Sequence, residues 1–138
     1  MLEQRAVLAA NQAFYDAFAA RDVAAMEALW ARRAPVTCVH PGWQPLRGRD
    51  AVLASWRGIL QGPNPPDIRC DDATAHLLGD AAYVICTERL PDVELIATNV
   101  FVREAGAWRL VQHHASSVAR AAAEAETDVD DDDSGLLH

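Results

Sequence analysis

Three side chains of this chain join acid–base chemistry to positions on extended segments: His40, Glu88 and His114. A histidine titrates near neutral pH, and a carboxylate beside it in a partly dry site tunes it for general acid–base work. Tyr15 and Asn99 could add hydrogen bonds that orient a substrate oxygen or stabilise an enolate. His114 lies in the stretch Trp108 to Ser116. Side chains of an extended chain alternate between faces, so Trp108, Leu110, Gln112, His114 and Ser116 are expected on one face and Arg109, Val111, His113 and Ala115 on the other. The first face begins with a large apolar ring and ends in polar groups. That is the pattern of a strand that starts in a core and finishes in a pocket. The competing expectation is that His114 is structural, its ring bonded to Ser116, Gln112 or a helix backbone.

Other constellations fit less well. The pair His113-His114 suggests a metal, but neighbours on a strand point to opposite faces. A metal would need His114, His40 and Glu88 to converge, and the expectation is no metal and no cofactor. Cys38 and Cys86 sit among apolar neighbours, where thiols are usually inert packing, which argues against a nucleophilic Cys–His pair. With Cys70 they make an odd number without metal-type spacing, read as reduced thiols. The absence of lysine excludes Schiff-base chemistry and a P-loop. Of the net charge of −8, seven negative charges lie in the last 18 residues, from Glu124 to Asp133, so the remainder carries only −1. A nearly neutral domain has no electrostatic footprint for nucleic acid.

The elements that must position these groups follow from periodicity. Val7, Asn11, Phe14, Tyr15 and Phe18 form one face of a helix over 3–20. Asp22 caps a second helix carrying Met26, Leu29 and Trp30, which Pro35 cannot continue. Val36 to His40 is a short strand with Val36, Cys38 and His40 on one face, and Trp43 to Gly48 is loop. A third helix over 49–60 carries Val52, Leu53, Trp56, Ile59 and Leu60 and ends at Gly62-Pro63. Four strands follow in a meander: 68–78, bulged near Asp71-Asp72; 81–89, with Ala82, Val84, Cys86 and Glu88 on one face; 93–103, with Leu95, Ala97, Asn99 and Phe101 on one face; and the strand of His114, entered by a turn at Glu104 to Ala107. From Ala119 the composition turns to alanine and acid, and 119–138 reads as a frayed helix and flexible acidic tail. Asp130, Asp132, Ser134 and Gly135 match half of a calcium loop that the chain does not complete. No apolar run approaches the roughly 18 residues a membrane helix needs, and the first residues lead directly into a helical pattern without a signal-peptide core. A cytoplasmic protein with no membrane partner is expected.

This order of elements resembles the nuclear transport factor 2-like superfamily, in particular its SnoaL-like, ketosteroid-isomerase-like branch. Ala20-Arg21-Asp22 before Leu29-Trp30, Gly48 to Val52 before Trp56, and Asn99-Val100-Phe101 followed by Trp108 to Ser116 carry the likeness. The resemblance covers about residues 3–118, and the domain is set at 1–118. It implies an α+β fold: three N-terminal helices packed on a strongly curved, mainly antiparallel sheet that encloses a cone-shaped pocket, often in a homodimer. Ketosteroid isomerases place aspartates where this chain has Cys38 or His40 and Asn99 or Ala97, so steroid isomerisation by their mechanism is not expected. The reading is a small-molecule pocket protein and, if an enzyme, a cofactor-free isomerase, dehydratase or cyclase acting on a compact carbonyl- or hydroxyl-bearing ligand. His114, His40 and Glu88 are its acid–base candidates, Tyr15, Asn99 and Ser116 its polar contacts, and Trp30, Trp56 and Phe101 its walls. The alternative is a non-catalytic ligand-binding or dimeric interaction module.

Overall fold

The computed structural model describes residues 2–119. The expected tail, Ala119 apart, and its partial calcium loop lie outside the described residues. Helix α1 (Leu2–Ala20) buries Val7, Asn11, Phe14, Tyr15, Ala17 and Phe18, the expected face. Arg21 takes the left-handed conformation (φ 54°) that ends it, and Asp22 caps α2 (Val23–Leu29) by accepting from the Ala25 amide at 3.0 Å. Gly48, at φ 91°, opens α3 (Arg49–Leu60), which buries Val52, Leu53, Trp56 and Leu60.

One six-stranded mixed sheet, curved and open, backs the three helices, with strand order β2-β1-β6-β5-β4-β3. Its members are β1 (Thr37–Val39), β2 (Leu46–Arg47), β3 (Arg69–Leu78), β4 (Ala81–Arg89), β5 (Glu94–Glu104) and β6 (Ala107–Ser117). The four long strands form the expected antiparallel meander. Strand β1 joins its edge in parallel to β6, pairing Cys38 with His113. The two residues of β2 fall in the stretch expected as loop and pair with β1. The β5–β6 turn is Ala105-Gly106, both at positive φ, the geometry that matches the twist of a two-residue hairpin.

Two irregularities matter. The first is the expected bulge in β3 between Asp71 and Thr74, with Asp72 at φ 57°. The second corrects the reading of β6. Val100 pairs with Gln112 but Phe101 pairs with Leu110, so Val111 is an extra residue on β6. A single inserted residue reverses the alternation beyond it. Leu110 faces the core, and the next inward side chains are His113 and Ala115 rather than Gln112 and His114.

Two ionic devices brace the corner between α2 and β1. The Arg49 guanidinium donates to the carbonyls of Trp30 (2.7 Å), Ala31 (3.0 Å) and Glu27 (3.0 Å), satisfying chain ends that no helix bond reaches. Glu104 accepts from the backbone amides of Arg32, Arg33 and Ala34 at 2.8–2.9 Å, which holds its carboxyl below the usual range. Among the described residues no helix is long and apolar enough to cross a membrane.

Candidate active site

Where α1 crosses the concave face of the sheet, five polar side chains are buried together: Asn11, Tyr15, Glu88, Asn99 and His113. Each arrives by ordinary periodicity. Asn11 and Tyr15 are one helical turn apart on the buried face of α1. Glu88 and Asn99 are inward positions of β4 and β5, and His113 is brought inward by the β6 bulge. Ala97 and Ala115, also inward and buried, keep the sheet low beneath the helix.

The hydrogen bonds run in one sense. The Tyr15 hydroxyl donates to Glu88 Oε2 at 2.7 Å. Asn99 Nδ2 donates to Asn11 Oδ1 at 2.8 Å and to Tyr15 Oη at 3.2 Å. Asn99 Oδ1 stands 2.6 Å from His113 Nδ1, and His113 Nε2 stands 3.8 Å from Glu88 Oε2. A second imidazole lies nearby. His40 Nε2 is 2.9 Å from Ser55 Oγ, whose own proton goes to the Val52 carbonyl at 2.7 Å, so His40 donates through Nε2.

Burial sets the protonation of these groups. It pushes His113 down to about 3, helped by the neighbouring His40 and His114, and His40 down to about 4. It pushes Glu88 upward against the opposing hydrogen bond from Tyr15. Burial also raises Tyr15, with the Glu88 charge in support, so the phenol stays a donor. The favoured resting state at neutral pH is two neutral imidazoles facing a carboxyl that holds its proton far more readily than an exposed one. Cys38 stands 3.7 Å from His40 Nε2, but burial lifts its thiol to about 12, which keeps it an inert thiol.

A cavity of about 240 Å³ opens onto this cluster. Tyr15, Glu88, His40 and His113 supply its polar groups; Phe14, Phe18, Trp43, Trp56 and aliphatic side chains supply the rest of the wall, and among the described residues no arginine lines it. Phe14 packs edge-on against Tyr15 and Trp56, and His40 lies between Trp43 and Trp56 at 4.7 and 4.8 Å.

Of the residues singled out from the sequence, Tyr15, His40, Glu88 and Trp56 meet at the cavity. Asn99 lies behind it, and its amide is spent on Asn11 and Tyr15 rather than offered to a ligand. Trp30 and Phe101 are fully packed core residues away from the cavity wall; Trp30 is bridged to Leu110 of β6. His114 and Ser116 lie on the outer, exposed face, because the Val111 bulge turns them away. This also removes the metal arrangement that needed His114 beside His40 and Glu88. The sequence reading missed His113 as the inward histidine, and Trp43, which it left as loop. The one available signal was that Gln112-His113-His114 is polar at every position, so alternation there selects neither register.

The chain matches the SnoaL-like domain family over residues 7–120 and belongs to it. Among solved structures it is similar to a candidate dehydratase of the NTF2-like family from Streptomyces avermitilis, with 35% identity and a TM-score of 0.78 over 85% of this chain and 96% of that one. It is also similar to a candidate calcium/calmodulin-dependent protein kinase type II association domain from Thiobacillus denitrificans, with 38% identity and a TM-score of 0.71 over 80% of this chain and 93% of that one. The F-box protein SKIP8 of Arabidopsis thaliana is 29% identical over 115 residues, which are 81% of this chain. The chain spans about half, 49%, of that relative's length.

Proposed function

We propose that the cavity is a small-molecule site in which Glu88 and His113 carry out cofactor-free proton transfer on a compact, uncharged carbonyl- or hydroxyl-bearing compound. The observation that carries this is the buried pair itself, with His113 Nε2 and Glu88 Oε2 3.8 Å apart on the floor of an aromatic-walled cavity. Burying two titratable groups side by side is costly, and perturbed groups of this kind gather where chemistry is done. In a dehydration, His113 Nε2 takes the proton α to the carbonyl while protonated Glu88 gives its proton to the departing β-hydroxyl, which leaves as water. The products on the protein are an imidazolium and a carboxylate. Proton transfer between these neighbours restores the starting state. In an isomerisation the imidazolium returns its proton to another carbon. Tyr15 steadies the carboxylate, and His40 is the second polar contact for the ligand. The Streptomyces relative, described as a candidate dehydratase, supports this class. Among the described residues no arginine lines the cavity, which favours uncharged ligands over carboxylates.

The test is exchange of α-protons of small β-hydroxy ketones and enones in D2O, followed by NMR beside thermal-shift binding. Occupancy at 100 times Kd adds about 2.7 kcal/mol to the folded state. A compound that binds should exchange, and Glu88→Gln and His113→Gln should each slow exchange about 10²–10⁴-fold with binding retained. Failure of every uncharged compound to bind, or exchange that survives both substitutions, defeats the reading.

A second reading, compatible with the first, is self-association through the outer face of the sheet. Ile85 and Ile96 are each 40% exposed there, and the half-buried neighbours Tyr83, Val100 and Val102 are uncharged. The Thiobacillus relative is described as an association domain. An Ile85→Glu/Ile96→Glu double variant should shift the sedimenting species from dimer to monomer; a wild-type monomer at all concentrations rejects it.

A further inference from the structure

We propose that Asn99 is a positioning residue that fixes His113 in the Nδ1–H tautomer, and so presents an unprotonated Nε2 to the cavity and to Glu88. The inference rests on the acid–base reading for its purpose, but its geometry stands apart from any ligand.

The run of hydrogen bonds starts at the Glu88 carboxyl. Tyr15 has one proton, and the 2.7 Å contact to Glu88 Oε2 uses it, so a proton that the carboxyl holds lies on Oε1. The Tyr15 oxygen can then only accept from Asn99, 3.2 Å away, which requires the NH2 end of the Asn99 amide to face it. The same NH2 donates to Asn11 Oδ1 at 2.8 Å, and the Asn11 amide nitrogen is turned to the Cys70 sulfur at 3.6 Å. With both protons of Asn99 committed on that side, its carbonyl must face the other way, where it meets His113 Nδ1 at 2.6 Å. A carbonyl accepts and cannot donate, so Nδ1 carries the hydrogen. Burial keeps the ring neutral, which leaves Nε2 with the lone pair. One sense of donation, set at Glu88, is thereby transmitted through Tyr15 and Asn99 to choose the basic nitrogen of a ring that also faces Glu88 directly. Reversing the Asn99 amide would set its oxygen against two oxygens that have no proton for it.

The titratable groups around His113 are Glu88 from β4, Tyr15 from α1, Cys38 and His40 from β1 and its end, and the adjacent His114 of β6; α3 contributes the indole of Trp56. Among the described residues the hydrogen-bond partner of Nδ1 is the Asn99 carbonyl and none of these groups.

The test uses the full chain with 15N-labelled histidine and two-bond proton–nitrogen correlation spectra, His113 being assigned by its loss in His113→Gln. The expected wild-type result at pH 7 is a protonated Nδ1 and an unprotonated Nε2. Asn99→Asp, nearly isosteric, should hold the imidazolium and raise the His113 midpoint by about 1–3 pH units. Asn99→Leu should release the ring to the other tautomer or to a mixture. An Nε2–H form in the wild type, or an Asn99→Asp variant with an unchanged midpoint, overturns the proposal, and neither result requires Asn99→Leu to fold. If no carbonyl compound binds while the spectra come out as expected, the acid–base reading fails and the positioning role stands.

Discussion

Acidification from pH 7 to pH 5 acts on the buried cluster with opposing signs, and the signs can be separated. A histidine whose folded pKa is depressed takes up a proton in the unfolded chain first, so stability is lost as pH falls below the ordinary value of 6.5. With His113 at about 3 and His40 at about 4, each costs about 2 kcal/mol between pH 7 and pH 5, about 4 kcal/mol together. Glu88 works the other way. Its folded pKa is raised, so its contribution is fully present below about 4.5 and is lost as pH rises through the folded value; acidification restores it. The surface acids Glu3, Asp71 and Glu104, all lowered by their hydrogen-bond donors, lose their contributions only below their ordinary values near 4, outside this window.

Urea unfolding followed by tryptophan fluorescence at pH 7, 6 and 5 reads these contributions within each variant. Wild type should lose less than about 4 kcal/mol over the window, because Glu88 offsets the histidines. Glu88→Gln removes the offset and should show the steeper loss. His113→Gln should show a loss shallower than wild type by about 2 kcal/mol. Equal slopes for wild type and Glu88→Gln would mean that Glu88 is not held protonated by burial. A wild-type slope in His113→Gln would mean that His113 is not a buried neutral ring.

Three further outcomes follow from the packing. His114→Ala, on the exposed face, should change stability by no more than about 0.5 kcal/mol, whereas His113→Ala strands the Asn99 carbonyl and should cost about 2–4 kcal/mol in equilibrium unfolding. Arg49→Lys keeps the charge but cannot reach three carbonyls with one ammonium, and should cost about 2 kcal/mol in the same assay. Phe14→Ala removes the ring that packs against Tyr15, Trp56 and His113; it should cost about 3–5 kcal/mol and broaden the His113 resonances.

The faces of α1, α3, β4 and β5 were legible from the sequence because each obeys one period throughout its length. Asn11 and Tyr15, Glu88 and Asn99 all point where helical or alternating spacing sends them. The β3 bulge was legible too, since Asp71-Asp72 interrupts an otherwise apolar alternation. The walls were not. Trp30 is large and apolar, and nothing in its local sequence distinguishes the inside of a core from the side of a cavity; that depends on Leu110, 80 residues away, as its bridge partner.

The β6 bulge was illegible for a different reason. It needs no glycine and no left-handed residue, so Val111 carries no mark of it. Its consequence is confined to a register choice between two adjacent histidines. Any one-residue slip in this stretch still presents one imidazole to the concave face beside Asn99 and Glu88, and the other to the outer face. The side-chain types that the sequence reading joined, an imidazole beside a carboxyl, are therefore brought together despite the error in the residue. The pairing with β1 decides which histidine is chosen. Cys38 is aligned with His113, so the inward residue of β6 must share a face with Cys38 and, two residues on, with His40. A parallel strand three residues long thus fixes which imidazoles meet the carboxyl of Glu88. Had β1 paired one residue further along, His40 would face the same side as His114, away from α1 and from Tyr15.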